Sequence, residues 1–323
     1  MSGSRSISAG AELRGVWPAL FTPLKNDDPK RLRNSLDFDK ARLIIDDLIA
    51  EGVSGLVPVG TTGQSPTVST EQHLDFIRFT VDYVNGRVPV IAGAGSNSTR
   101  ESVDMIQSIL KSFGDMAVLC VTGYYNTPPQ EGLAAHYETL SRETGAKIVL
   151  YNVPARTASY LEPDTLIRLA SDRNIIGLKQ AVDFRNPGKH RDDTARVVQS
   201  TKNLDFGIVS GEDDGVAAMM ELGGAGVITA SGSIPEASRL FLKLVAAFAS
   251  GNSAQAKTFQ DEIMAFVKLV FSRKNPIPLG TFFNSPLFLP LVSVRETKGG
   301  EELEKEILAF IRAKAPLLAK YHP

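Results

Sequence analysis

The chain has 323 residues, 43% of them apolar and 22% charged, enough for one large core or two domains. Its formal net charge of −1 excludes the strong field that nucleic-acid or anionic-membrane binding relies on. The single cysteine, Cys120, excludes an internal disulfide and makes the cytoplasm the default compartment, and no apolar stretch reaches the ~18 residues that span a bilayer.

Residues 1–11 are rich in Ser and Gly, lack an apolar signal core and read as a disordered tail. Short, nearly continuous apolar runs then recur at 15–24, 55–60, 88–95, 117–123, 147–154, 175–181, 204–211 and 226–230. Such runs suit strands buried on both faces, as in parallel sheets. Between them lie stretches with helical periodicity. In 35–50, Leu36, Leu43, Ile44 and Leu48 fall near one face, and in 70–84 Leu74, Ile77, Val81 and Val84 do the same. Ser69 or Thr70 caps the second of these, and Ser98 or Thr99 caps the helix after it.

Eight βα units over ~220 residues fit an α/β fold of the (β/α)8, or TIM, barrel type, here spanning 12–250. A doubly wound open sheet is the alternative, but the first run ends in Thr22-Pro23-Leu24 with no Gly-rich phosphate fingerprint. Helical stretches at 238–250, 254–272 and 301–319 follow, and residues 251–323 read as a C-terminal helical extension. Asn275-Pro276-Ile277-Pro278 interrupts it with a bend, because proline lacks a backbone donor and restrains the residue before it.

Active sites of such barrels lie at the C-terminal ends of the strands. The second run ends in Gly60-Thr61-Thr62-Gly63-Gln64-Ser65, which reads either as a carboxylate cradle of hydroxyls and free N–H groups or as a tight turn. The fourth ends in Gly123-Tyr124-Tyr125-Asn126 and the fifth in Tyr151-Asn152-Val153-Pro154, followed by Arg156. A tyrosine held near reacting atoms passes protons, while aromatic packing under loops explains the same residues structurally. Arg156 is either a fork for a carboxylate or a surface arginine in a loop. Lys179 is the sharpest feature, a charged residue in the apolar run Ile175-Ile176-Gly177-Leu178. Burial favours the neutral, nucleophilic amine of a lysine; snorkelling to solvent or pairing with a carboxylate is the structural alternative. Glu212-Asp213-Asp214 after the seventh run reads as acidic residues opening a helix. The four histidines are scattered, with none at a strand end, and metal-ligand spacing is absent.

Taken in order, Gly60-Thr61-Thr62-Gly63, Tyr124-Tyr125-Asn126 with Pro128, Tyr151 to Thr157, Ile176-Gly177-Leu178-Lys179, Ser210-Gly211-Glu212-Asp213 and Asn275-Pro276-Ile277-Pro278 form a specific set. The chain resembles the dihydrodipicolinate synthase and N-acetylneuraminate lyase family of Schiff-base pyruvate lyases, from about residue 15 to about residue 290. The resemblance implies that Lys179 forms an imine with pyruvate and that Tyr151 is the acid/base beside it. It implies that Thr61 and Tyr125 complete a proton relay, with Tyr125 reaching a neighbouring subunit. Thr62 would hold the pyruvate carboxylate, Arg156 the carboxylate of an aldehyde acceptor, and Gly211 and Ile228 would line the pyruvate pocket. No metal or organic cofactor is called for, and the expected assembly is a homotetramer, a dimer of dimers. In some members lysine binds at a subunit interface, at positions matching Ser65, His73, Asn97, Glu101 and Tyr124.

Arg156 favours the synthase branch, which condenses pyruvate with aspartate-4-semialdehyde on the way to lysine and diaminopimelate. Several residues depart from the usual pattern: Gln64 for glutamate, Gly123 for proline, Gln180-Ala181-Val182-Asp183 after the lysine, and an insertion-like polar stretch at 184–193, at the mouth of the barrel, where it could change the pocket for the second substrate. Those departures keep open other aldolases of the family, acting on 2-keto-3-deoxy sugar acids or 4-hydroxy-2-oxoglutarate. A non-catalytic small-molecule-binding barrel and a structural protein are the readings from other classes.

Overall fold

The computed structural model describes residues 6–322. Its strands are β1 (Gly15–Pro18), β2 (Ile91–Gly93), β3 (Ala117–Val121), β4 (Ile148–Asn152), β5 (Ile175–Gln180), β6 (Gly207–Ser210) and β7 (Gly226–Thr229). They form one seven-stranded sheet in the order β1-β7-β6-β5-β4-β3-β2, and the strand pairs are parallel. The run at 55–60, expected as a strand, fills the gap between β1 and β2 as two parallel bridges, Ala19 with Val57 and Leu56 with Val90. Val57 donates to the Pro18 carbonyl at 2.9 Å, Ile91 to Leu56 and Gly93 to Pro58 at 3.0 Å, so the ring closes. Pro18, Pro58 and Pro89 supply no N–H there and Val59 has φ 51°, which explains why this eighth member is irregular.

Alternation along the strands divides the core in two. Trp17, Val57, Ile91, Leu119, Val149, Tyr151, Ile176, Val209 and Ile228 pack together inside the ring. Val16, Val118, Leu150, Leu178 and Val227 face the helices outside. This is the (β/α)8 arrangement, with packing rather than a pore at its centre.

Residues 6–11 are not the disordered tail expected. Ile7 and Leu13 are buried in the inner cluster, at the N-terminal end of the ring. The Ser6 hydroxyl donates to the Val90 carbonyl at 3.1 Å and accepts from the Ala117 N–H at 2.8 Å. Gly177 and Gly207 make room for Leu13: a Cβ would lie 2.5 Å and 2.9 Å from its side chain. Residues 1–5 of that expected tail lie outside the described residues.

The first helix is Phe38–Glu51, capped by Asp37, whose carboxylate accepts from the Lys40 N–H. Ala41, Ile44, Ile45 and Leu48 form its buried face, whereas Leu43, expected on that face, is 45% exposed. Ile45, two positions on, is buried instead. Ser69 and Ser98 do cap the helices Thr70–Val84 and Thr99–Phe113. After β7 come the helices Pro235–Ala249, Ser253–Val270, Ile277–Phe282 and Gly300–Lys314. Between the second and third of these, the chain returns to the C-terminal face of the ring, where Asn275 meets Thr62 and, farther on, the Phe288 N–H meets Gln64.

Gly55 marks how tightly the ring is filled: a Cβ there would sit 2.1 Å from the Trp17 ring. Gly55→Ala should lower stability by about 1–3 kcal/mol through overpacking, read as a lower urea midpoint at unchanged slope.

Candidate active site

β4 and β5 pair in a register that sets Tyr151 beside Lys179, the inward-facing residues at the C-terminal ends of the two strands. Both are buried, and the Lys179 Nζ lies 4.3 Å from the centroid of the Tyr151 ring. Gly211, just past β6, lets the lysine lie flat across it: a Cβ there would be 3.1 Å from Lys179 Cγ and Cε and 2.7 Å from Ala181 Cβ. Ile228 on β7 belongs to the same inner cluster and is fully buried.

A cavity of about 670 Å³ opens over this end of the ring. Thr61, Tyr124, Tyr151, Val153 and Arg156 line it. The turn that carries Thr61 is tied by the Ser65 N–H donating to the Gly60 carbonyl at 3.2 Å. Thr62, next along, is buried, and its Oγ1 accepts from Asn275 Nδ2 at 2.9 Å. Arg156 sits in the short helix Pro154–Thr157 and donates from Nη2 to the Asn275 carbonyl at 3.2 Å. Tyr125 stands apart from these residues. It has φ 75°, is 92% exposed and does not line the cavity of its own chain.

The same cavity continues past Tyr124 to Ser65, His73, Glu101, Asp104 and Ser108. His73 reaches the end of β2 from its helix, with Nε2 2.7 Å from the Gly93 carbonyl, so one histidine does meet a strand end. Burial holds its pKa below the usual value, so the neutral ring donates to that carbonyl. Glu101 accepts from the Ser96 hydroxyl at 2.7 Å. Asn97 does not line the cavity; its Oδ1 accepts from the Tyr124 N–H at 3.0 Å and fixes the loop that carries both tyrosines.

The acidic run after β6 is more than the opening of a helix. Asp213 is buried and accepts from the Ala230 and Ser231 N–H groups at 3.2 Å and 2.6 Å, clamping the loops after β6 and β7 together. Glu212 is pushed up to about 7, first by burial and then by the Asp214 and Asp213 carboxylates, against the opposing pull of Lys179 and Arg185. Its place beside Lys179 was readable from Ser210-Gly211-Glu212 at a strand end, a signal the helix-dipole explanation masked. Among the described residues, no group of three or more His, Cys, Asp or Glu side chains is placed to hold a metal.

Gln64 and Gln180, two of the departures from the family pattern, have structural explanations. Gln64 is buried and uses both ends of its amide, donating to the Thr22 carbonyl at 3.0 Å and accepting from the Phe288 N–H at 3.1 Å. An ionised glutamate has no donor for the first of these. Gln180 follows the inward-facing Lys179 and turns away from the ring. It donates to Thr194 Oγ1 at 3.2 Å and accepts from Asn152 Nδ2 at 3.0 Å. None of residues 180–193 lines this cavity, and neither do Lys179, Thr62, Gly211 or Ile228, which lie beneath it. Phe184 is buried in the outer core, and Arg185 is anchored by Asp183 and Asp214.

The model of the dihydrodipicolinate synthetase family matches residues 12–286. The chain is 40% identical over 273 residues to the 4-hydroxy-tetrahydrodipicolinate synthase of Methanococcus vannielii, covering 84% of this chain and 88% of that one. It is 38% identical over 267 residues to the synthase of the same name from Aromatoleum aromaticum, covering 83% and 86%. Among solved structures, dihydrodipicolinate synthase from Thermotoga maritima superposes with a TM-score of 0.81 at 35% identity, over 92% of this chain and 97% of that one. The chloride-inhibited enzyme of Acinetobacter baumannii, solved with pyruvate, gives 0.81 at 30% identity over 92% and 98%. A monomeric variant of dihydrodipicolinate synthase gives 0.82 at 34% identity over 93% and 97%.

Glu212 generates a pH prediction. Its folded pKa lies above the ordinary carboxyl value, so its protonated form favours the fold, and that contribution is lost as pH rises from about 4.5 through about 7. Glu212→Gln should flatten the fall in urea midpoint across this window relative to the parent; parallel curves would contradict it. Gly211→Ala should lower the thermal unfolding midpoint by crowding Ala181 and Lys179; an unchanged midpoint would contradict this reading of the packing.

Proposed function

The chain belongs to the dihydrodipicolinate synthetase family, and from that premise we propose that it condenses pyruvate with aspartate-4-semialdehyde to 4-hydroxy-tetrahydrodipicolinate, an early step towards lysine and diaminopimelate. The carrying observation is the buried Lys179, set beside Tyr151 by strand register under a cavity that Arg156 also lines.

The Lys179 amine attacks the keto carbon of pyruvate, water leaves, and an imine forms. Protonated, the imine withdraws electrons and acidifies the pyruvate methyl group. Loss of that proton gives an enamine, whose carbon attacks the aldehyde. Tyr151 moves the protons at the keto carbon, with Thr61 and Tyr125 completing the relay. Thr62 holds the pyruvate carboxylate, Gly211 and Ile228 shape the pocket around the methyl group, and the Arg156 fork takes the acceptor's carboxylate.

Tyr125 serves the site of a second copy in this reading. A tyrosine in the left-handed region and almost wholly exposed is strained and unpacked within its own chain, which suits insertion into a neighbour. We therefore infer a homotetramer built as a dimer of dimers. The buried free Cys120 suits a reducing cytoplasm, and no helix among the described residues is long and apolar enough to cross a membrane. A second reading adds to the first: lysine binds where the cavity extends past Tyr124, with Ser65, His73 and Glu101 on its wall and Asn97 holding the loop.

Borohydride in the presence of pyruvate should leave the reduced pyruvyl group on Lys179, detected by peptide mass; an unmodified Lys179 would sink the assignment. Tyr151→Phe should lower kcat with pyruvate and aspartate-4-semialdehyde about 10²–10⁴-fold. Sedimentation at the monomer mass with full activity would contradict the role given to Tyr125. Activity unchanged in millimolar lysine would remove the feedback reading.

A further inference from the structure

Asn275 lies outside the ring, in the stretch between the helices Ser253–Val270 and Ile277–Phe282, yet it is 4% exposed and touches two of the residues placed in the site. Its Nδ2 donates to Thr62 Oγ1 at 2.9 Å, and its backbone carbonyl accepts from Arg156 Nη2 at 3.2 Å. Its Oδ1 is buried without a hydrogen-bond partner. A buried amide oxygen left unpartnered is costly, so the residue is held there for what its other groups do.

We propose that Asn275 is a positioning residue that sets both carboxylate-binding groups of the site, the Thr62 hydroxyl and the Arg156 guanidinium. A hydroxyl offers one proton and two lone pairs. Because Asn275 donates to the Thr62 oxygen, the Thr62 proton stays free, and among the described residues no protein group accepts it. The rotor is thereby turned to donate, which is the polarity a carboxylate requires. The second contact acts on a long, otherwise exposed side chain. Anchoring one Nη to a fixed carbonyl leaves the rest of the guanidinium to face the cavity and lowers the ordering entropy of binding. Asn275 acts through the Thr62 hydroxyl and the Arg156 guanidinium that it touches, and not on the substrate.

The inference rests on the pyruvate-lyase reading, and its test separates the two. Half-saturating pyruvate is measured for borohydride trapping at Lys179, and KM for both substrates in turnover, in the parent enzyme, Asn275→Ala, Asn275→Asp, Thr62→Val and the Thr62→Val/Asn275→Ala pair. No adduct in the parent would remove the functional reading itself. With an adduct in the parent, Asn275→Ala should raise KM for pyruvate and for aspartate-4-semialdehyde by about tenfold each, with a smaller change in kcat. Asn275→Asp keeps the shape but only accepts, so it draws the Thr62 proton away from the substrate and should raise the pyruvate KM at least as much. The pair should be no worse for pyruvate than Thr62→Val alone, because Asn275 works on pyruvate through that hydroxyl. Unchanged KM values in a folded Asn275 variant, additive effects in the pair, or loss of fold in both Asn275 variants would overturn the proposal.

Discussion

The pairing of β4 with β5 in one register is the contact on which the site depends. In a parallel pair, neighbouring residues on the same face share a direction, and a slip of one residue sends every side chain to the opposite face. The register that sets Tyr151 against Lys179 therefore places a phenol and an amine together inside the ring, and turns Asn152 and Gln180 together to the outside. Those two outer amides then hydrogen-bond to each other at 3.0 Å. One alignment sets the Tyr151–Lys179 pair on one face and a buried polar clasp on the other.

The ring supplies position, but loops and the C-terminal extension supply polarity. Asp213 clamps the turn after β7, Gln64 ties the threonine turn to the Phe288 N–H, and Asn275 reaches Thr62 and Arg156. Each is a buried polar side chain spending its hydrogen bonds on backbone or on a site residue across a long stretch of sequence. Such groups are costly to bury without partners, so the hydrogen bonds they do make specify how the outer elements sit on the ring.

Lys179 and the strand-end residues were legible because a charged residue in an apolar strand has few structural excuses, and because parallel strands present their C-terminal ends to one face. The helix caps at Ser69 and Ser98 were legible for a local reason: the donor and acceptor lie within one turn. What was hidden depended on distant partners. The N-terminal residues look like a polar tail until Ile7 and Leu13 meet two glycines on β5 and β6. The run at 55–60 reads as an ordinary strand until three prolines and the φ of Val59 thin its ladder. Gln180 looks like a change beside the nucleophile, yet period-two alternation sends it the other way. The acidic run at 212–214 looks like a helix opening, although its members face different partners.

Tyr125 carries a cost that its own chain does not offset. A left-handed backbone raises the energy of a non-glycine residue, and an exposed aromatic ring adds apolar surface to water, so both features cost free energy in the isolated chain. Asn97 holds the preceding residue by its N–H, which fixes the direction in which the loop projects the ring. A loop prepared in this way loses little entropy on docking, and the surface it buries offsets its strain. In the proposed assembly a second copy that covers this ring recovers the cost carried by one chain, and that coupling would tie assembly to the relay proposed for Tyr125.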